Sequence, residues 1–240
     1  MSDAGKEETP RRQDAETPSK TWIKICGFKD VDTALAAAEA GADFIGLNFV
    51  EASPRFVDYD VAKTIVEALP PAVQPIALVN HLDNRQQFDE LRHATGGVTW
   101  LQLHGQEPPT LAASLHGFQL IRALPAEAAA DQAILDAWAS HTHVKAFLWD
   151  APTSPDNPLG GGSGHTSDWD WLAERLPKSR PSLLAGGLTP DNVAEAIHKV
   201  RPWGVDVSSG VESSRGVKDI AKISDFCAAV QQADTNLNGI

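Results

Sequence analysis

Only two cysteines, Cys26 and Cys227, occur in the 240 residues, and they stand far apart. A disulfide framework is not expected from such a pair at this length, so a reducing compartment, the cytoplasm, is the default. No run of about eighteen apolar residues is present, which argues against a helical membrane span. There is also no run of basic residues: 20 Lys and Arg stand against 32 Asp and Glu, for a net charge of −12. Such a surface repels nucleic acid and anionic membrane. An anionic small substrate would therefore need a local pocket of positive charge or backbone amides. Residues 1–20 hold no apolar core, so they do not read as a secretory leader, and their polar composition reads as a disordered tail.

What is present describes an ordinary globular chain, 42% hydrophobic and 22% charged. From Thr21 onward short β-rich runs alternate with helical patterns. The runs are WIKIC (22–26), DFIGLNF (43–49), PIALVN (75–80), VTWLQLH (98–104), FQLIRAL (118–124), VKAFLWD (144–150), SLLAG (182–186) and WGVDVS (203–208). Between them lie apolar-periodic segments such as VDTALAAAEAG and TPDNVAEAIHKV. Alternation of this kind implies parallel strands, because each helix must return the chain to the same end of the sheet. Eight units favour an α/β fold closed into a (β/α)₈ TIM barrel, in a single domain over 21–233 with a C-terminal tail at 234–240. An open, doubly wound sheet is the alternative that alternation alone leaves standing. Asp30 reads as a helix N-cap, Gly41 as a left-handed helix end, and Thr189-Pro190 as an N-cap followed by proline in the first turn.

In a barrel of this type the chemistry sits where the strands end. The first strand ends on Cys26. Side chains alternate along a strand, so Lys24 and Cys26 share a face, with the thiol nearer the mouth. A mouth thiol beside a cation can act as a thiolate base or nucleophile; taken alone, it reads equally as a small buried hydrophobe. Cys227, inside the apolar pattern of the last helix, reads as core. The sixth strand ends on Asp150, which suits a general acid or a structural hydrogen bond, and Trp149 beside it is a candidate wall of the pocket. Cys26 and Asp150 together would offer base and acid from two strands.

Glycine- and serine-rich segments follow the last three strands: Gly160–Gly164, Gly186-Gly187 and Ser208-Ser209-Gly210. Glycine lets backbone amides approach a phosphate without a side chain intervening. His165 breaks both the GxxxxGK[ST] and the GxGxxG patterns, so the first segment is not a nucleotide loop of either kind. Two such loops after strands seven and eight point to a phosphorylated ligand. Arg55, in Ser53-Pro54-Arg55 after the second strand, can grip a carboxylate with two donors. His104 and Arg122 also fall near the mouth and are assigned no chemical step. His141 and His143 have metal-like spacing but no third ligand in view, so no metal site is expected.

With these residues assembled, the chain resembles the phosphoribosylanthranilate isomerase family from Trp22 to about Ala233. The resemblance is carried by KICG (24–27), AAAEAGADFIGLNF (36–49), SPR (53–55), LQLHG (101–105), the strand end at Asp150, GGSG (161–164), AGGLTPDNV (185–193) and GVDVSSGVE (204–212). It implies an isomerase of tryptophan biosynthesis that rearranges N-(5′-phosphoribosyl)anthranilate to 1-(2-carboxyphenylamino)-1-deoxyribulose 5-phosphate. It further implies Cys26 as general base, Asp150 as general acid and Arg55 on the anthranilate carboxylate. The amides of Gly161, Gly162, Ser163 and Gly164, of Gly186 and Gly187, and of Ser208, Ser209 and Gly210 would hold the phosphate. It implies no cofactor and no macromolecular partner beyond a possible second copy of the chain, as monomer or homodimer. The proline-rich segment APTSPDNPL (151–159) and Trp149 depart from the family's usual forms.

Overall fold

A computed structural model of the chain describes residues 20–80, 82, 84–150 and 168–239. The N-terminal segment through residue 19 and the Gly161–Gly164 segment lie outside them. Eight strands form a closed barrel: β1 (Trp22–Cys26), β2 (Phe44–Asn48), β3 (Gln74–Val79), β4 (Trp100–Leu103), β5 (Gln119–Pro125), β6 (Val144–Asp150), β7 (Ser182–Leu184) and β8 (Gly204–Val207). Every neighbouring pair is parallel, and β8 closes on β1 in the register Lys24 opposite Asp206. The open-sheet alternative is therefore excluded.

Each strand returns through a helix: α1 (Val31–Ala40), α2 (Tyr59–Ala68), α3 (Arg85–Ala94), α4 (Pro109–Ala112), α5 (Gln132–Ala139), α6 (Trp169–Ala173), α7 (Val193–Val200) and α8 (Ile220–Asn238). Asp30 caps α1 by accepting from the Thr33 amide at 2.8 Å, a contact of the kind that contributes about 1 kcal/mol. Gly41 ends that helix with φ +107°, a conformation that glycine adopts without a Cβ penalty.

Two boundaries differ from the sequence reading. α7 starts at Val193, not at Thr189-Pro190. The Thr189 carbonyl turns back to the amides of Asn192 and Val193, and the Asn192 side chain fastens the preceding loop by donating to the Gly187 carbonyl at 2.9 Å. α8 runs on to Asn238, so residues 234–238 are helix and not a tail. Within these turns the Asp234 carboxylate accepts from the Thr21 hydroxyl at 2.6 Å and the Thr21 amide at 2.8 Å, anchoring the helix to the start of β1, and Gly239 ends it in a left-handed conformation.

Strand alternation divides the core in two. Outward side chains such as Ile23, Ile45, Leu101 and Trp149 pack beneath the helices. Inward side chains fill the lumen around Phe44, Ile76, Ile121, Leu148 and Leu183. At the N-terminal end Trp22 stacks on Trp203 at 5.3 Å, and Phe44 sits 5.7–5.9 Å from Trp22, Trp100 and Trp203. Among the described residues this aromatic cluster fills the bottom of the barrel, opposite the mouth where the strands finish.

Candidate active site

At that mouth lies a cavity that opens to solvent. Its wall includes Cys26, Arg55, Asp150, Gly186, Gly187, Ser208 and Ser209. Thus residues from β1, the β2–α2 loop, β6 and the loops after β7 and β8 meet in one place, as expected from their positions. Gly210 is not part of the wall. It lies against the Leu188 carbonyl, where a Cβ would collide with the peptide oxygen, so its role is the close approach of two loops. Gly161, Gly162, Ser163 and Gly164 lie outside the described residues.

Cys26 is buried against Val50 and Leu78, directly above a buried ion pair. Lys24, one inward step below, places its ammonium 2.8 Å from the Asp206 carboxylate and is wholly buried. Burial disfavours the ammonium, but Asp206 and Cys26 together outweigh it, and the Lys24 pKa lies above its ordinary value. Burial pushes the Cys26 thiol up; Lys24, Lys218 and Arg55 oppose that rise, while Asp206 adds to it. The expectation that a nearby lysine would lower this thiol is therefore half met. The cation is present, but the cost of burying a thiolate exceeds its effect.

Asp150 ends β6 and is buried at the cavity wall with Leu148, which points the same way. Trp149 points the opposite way. It packs in the outer layer against Phe147 at 5.7 Å and is fully buried there, so it does not shape the pocket. Alternation along the strand makes this unavoidable once Asp150 faces inward. The segment 151–159 lies outside the described residues.

Arg55 reaches the cavity over Gly27, whose φ of +93° leaves room for the arginine stem; a Cβ there would sit 2.7 Å from the Arg55 Cδ. The two mouth residues without an assigned step part company. His104 lines the cavity beside Gln102, whereas Arg122 does not. The Arg122 guanidinium donates to Glu107 at 2.6 Å and to the Gly105 carbonyl at 2.8 Å, and it lies 4.9 Å from the Trp138 ring. It braces the β4–α4 loop.

Several wall residues escaped the sequence reading. Asn48, Asn80 and Gln102 end or follow inward positions of β2, β3 and β4, and strand parity applied to Cys26 would have found them equally. Glu212 and Lys218 carried no such signal. They belong to a small antiparallel hairpin after β8, β9 (Glu212–Ser214) and β10 (Val217–Lys218). Lys218 donates to the Ser208 carbonyl at 2.9 Å and Glu212 at 3.1 Å, and the Ser208 hydroxyl donates to the Cys26 carbonyl at 2.9 Å. Among the described residues no group of three or more His, Cys, Asp or Glu is placed to hold a metal, and no helix is long and apolar enough to cross a membrane.

Residues 23–229 match the family model described as N-(5′-phosphoribosyl)anthranilate (PRA) isomerase. The N-(5′-phosphoribosyl)anthranilate isomerase of Pelobacter propionicus is 43% identical over 204 residues, covering 85% of this chain and 92% of that protein. The crystal structure of phosphoribosyl anthranilate isomerase from Thermus thermophilus superposes with a TM-score of 0.76 at 30% identity, covering 88% of this chain and 99% of that one. A further solved phosphoribosyl anthranilate isomerase, in complex with reduced 1-(o-carboxyphenylamino)-1-deoxyribulose 5-phosphate, superposes with a TM-score of 0.72 at 28% identity and the same coverage. With the family model matched over residues 23–229 and with these relatives and their barrel covered over nearly their whole length, the chain belongs to the N-(5′-phosphoribosyl)anthranilate isomerase family.

Proposed function

We propose that this protein is the N-(5′-phosphoribosyl)anthranilate isomerase of tryptophan biosynthesis, working in the cytoplasm on a free phosphorylated substrate without a cofactor. The observation that carries the reading is the meeting of Cys26 and Asp150, from β1 and β6, in one cavity with Arg55 and two loops of close-set backbone amides. A substrate with a phosphate at one end and an aromatic carboxylate at the other matches a cavity that offers backbone amides and an arginine. The family member described above was solved with a reduced analogue of the product of this same reaction.

In this reading the phosphate lies among the amides of Gly186, Gly187, Ser208 and Ser209, with Gly210 letting the loops approach; the amides of Gly161–Gly164, outside the described residues, are the further donors that the sequence suggests. Arg55 takes the anthranilate carboxylate. Protonated Asp150 delivers its proton to the ribose ring oxygen, and the C1′–O bond breaks to leave a Schiff base between C1′ and the anthranilate nitrogen. The Cys26 thiolate then removes the proton from C2′, and the electron pair neutralises the iminium to give an enolamine. Ketonisation, with a proton returned to C1′, gives the 1-deoxyribulose product. There is no net redox change: in the ketonisation C1′ takes the proton held by Cys26 and the C2′ hydroxyl gives its proton back to Asp150, so acid and base both return to their starting states.

The direct test is turnover of N-(5′-phosphoribosyl)anthranilate by the purified chain, followed as loss of anthranilate fluorescence. Loss at a rate above the uncatalysed background, abolished in Cys26→Ala and Asp150→Asn, supports the reading. No turnover by the unmodified protein overturns it.

A further inference from the structure

Arg55 does not stand at the cavity by itself. Its Nε donates to Glu212 Oε1 at 2.7 Å and its Nη2 to Glu212 Oε2 at 3.0 Å, a two-pronged pair along one side of the guanidinium. The same carboxylate accepts from Lys218 Nζ at 3.1 Å through Oε1 and from the Gly216 amide at 3.0 Å through Oε2. Its side chain is 3% exposed. Four donors thus converge on one buried acceptor. Burial pushes the Glu212 pKa up, yet Arg55, Lys218 and the Gly216 amide outweigh it and hold the group below the ordinary carboxylate range. Glu212 is an anion fixed in place.

The geometry of the fork decides what remains for a ligand. Guanidinium has two edges suited to a carboxylate, the Nε/Nη2 side and the Nη1/Nη2 end. Glu212 occupies the first. Among the described residues Nη1 makes no hydrogen bond, and the side chain lines the cavity next to Cys26. Gly27 sits too close under the Arg55 stem for the arginine to settle there if any Cβ were present. The hairpin that carries Glu212 is in turn docked on the arginine's own loop. Gly216, at φ +80°, packs on the Pro54 carbonyl, and Lys29 donates to that carbonyl at 3.2 Å.

We propose that Glu212 is a positioning residue for substrate recognition: by holding the side edge of Arg55, it presents the end edge to the carboxylate of the substrate's aromatic ring. Lys218 joins this clamp to the phosphate end of the cavity, since it binds both Glu212 and the Ser208 carbonyl. The inference rests on the isomerase reading and adds to it the residue that makes the carboxylate a requirement. Without Glu212, Arg55 has the flexibility of an ordinary arginine and its charge is no longer aimed.

The test is a ratio. For each protein kcat/KM is measured with N-(5′-phosphoribosyl)anthranilate and with the N-(5′-phosphoribosyl)aniline analogue, which lacks the carboxylate. Dividing the two removes any effect of the fraction folded. The unmodified chain is expected to favour the carboxylate strongly. Arg55→Ala and Glu212→Gln should each lower that preference by at least about tenfold, the scale of one charge-assisted hydrogen bond, and the double variant should lose little more than either alone. The loss in Glu212→Gln should fall mainly on KM, and should be larger for the carboxylate substrate than for the aniline analogue. If Arg55→Ala loses the preference while Glu212→Gln keeps it, the proposal is overturned. If Glu212→Gln does not fold, Glu212→Asp keeps the charge but draws it back by one methylene. It is read in the same ratio, with a smaller loss expected and an unchanged ratio again overturning the proposal. Absence of turnover in the unmodified chain would instead overturn the isomerase reading, and this inference with it.

Discussion

Lys24 and Asp206 face each other across the β1–β8 seam with 2.8 Å between ammonium and carboxylate, directly below the thiol of Cys26. The pair fills a level of the lumen that would otherwise hold aliphatic side chains. Neither charge can be removed alone without leaving the other buried and uncompensated. Lys24→Met should therefore destabilise the barrel by about 3–5 kcal/mol, lowering Tm on the order of 10 °C, whereas Lys24→Met with Asp206→Leu should recover most of the loss. Thermal or urea unfolding of the two variants checks this. A single variant as stable as the parent would mean that Asp206 finds another partner.

On the proposed mechanism the pH dependence of turnover follows from the thiol. Burial holds the Cys26 pKa above its ordinary value, against the pull of Lys24, Lys218 and Arg55. The thiolate fraction of the free enzyme then grows with pH, so kcat/KM should climb on the alkaline side, through a range at or above about pH 8.5, the value of a free cysteine. The same limb should appear in the rate of iodoacetamide modification of Cys26, measured in Cys227→Ala to remove the other thiol. A plateau reached below pH 7.5 in both measurements would show that the cations win over burial. Cys26→Ser should be nearly as inactive as Cys26→Ala, because a hydroxyl supplies very little anion at these pH values.

On the proposed mechanism, Asp150→Asn removes the proton donor while keeping shape and much of the hydrogen bonding. Single-turnover rates should fall by about 10²- to 10⁴-fold, the range of a positioned general acid. Binding of inorganic phosphate should be unaltered, since the amides of the β7 and β8 loops do not depend on this carboxyl. A rate within a few-fold of the parent would assign ring opening to another group.

Cys227 is wholly buried in α8, and burial pushes its thiol up to about 12. The folded chain therefore holds this proton more tightly than the unfolded chain does. The associated stability is complete below the ordinary thiol pKa and is lost as pH rises from there through about 12. Above pH ~9 the free energy of unfolding should decline, and Cys227→Ala should lessen the slope by up to about 1.4 kcal/mol per pH unit. Urea titrations between pH 8 and 10.5 give both slopes. Equal slopes would place the alkaline loss elsewhere.

The eight β–α units and the inward march of Lys24 and Cys26 were legible from residue types alone, because strands have a period of two and helices a period of 3.6. The same rule, carried one residue further at β6, turns Trp149 away from the cavity that Asp150 faces. Helix ends were less legible. The last turns of α8 are fastened by Asp234 meeting Thr21 and end at the left-handed Gly239, and the start of α7 at Val193 depends on the turn made by Thr189. Two properties of the site belonged to the tertiary structure altogether. Glu212 lies 157 residues from Arg55, and only closure of β8 against β1 brings its hairpin onto the β2 loop. The direction of the Cys26 shift is likewise a balance between burial and four surrounding charges. Sequence can name those charges; their distances, and the water excluded around them, exist only in the folded barrel.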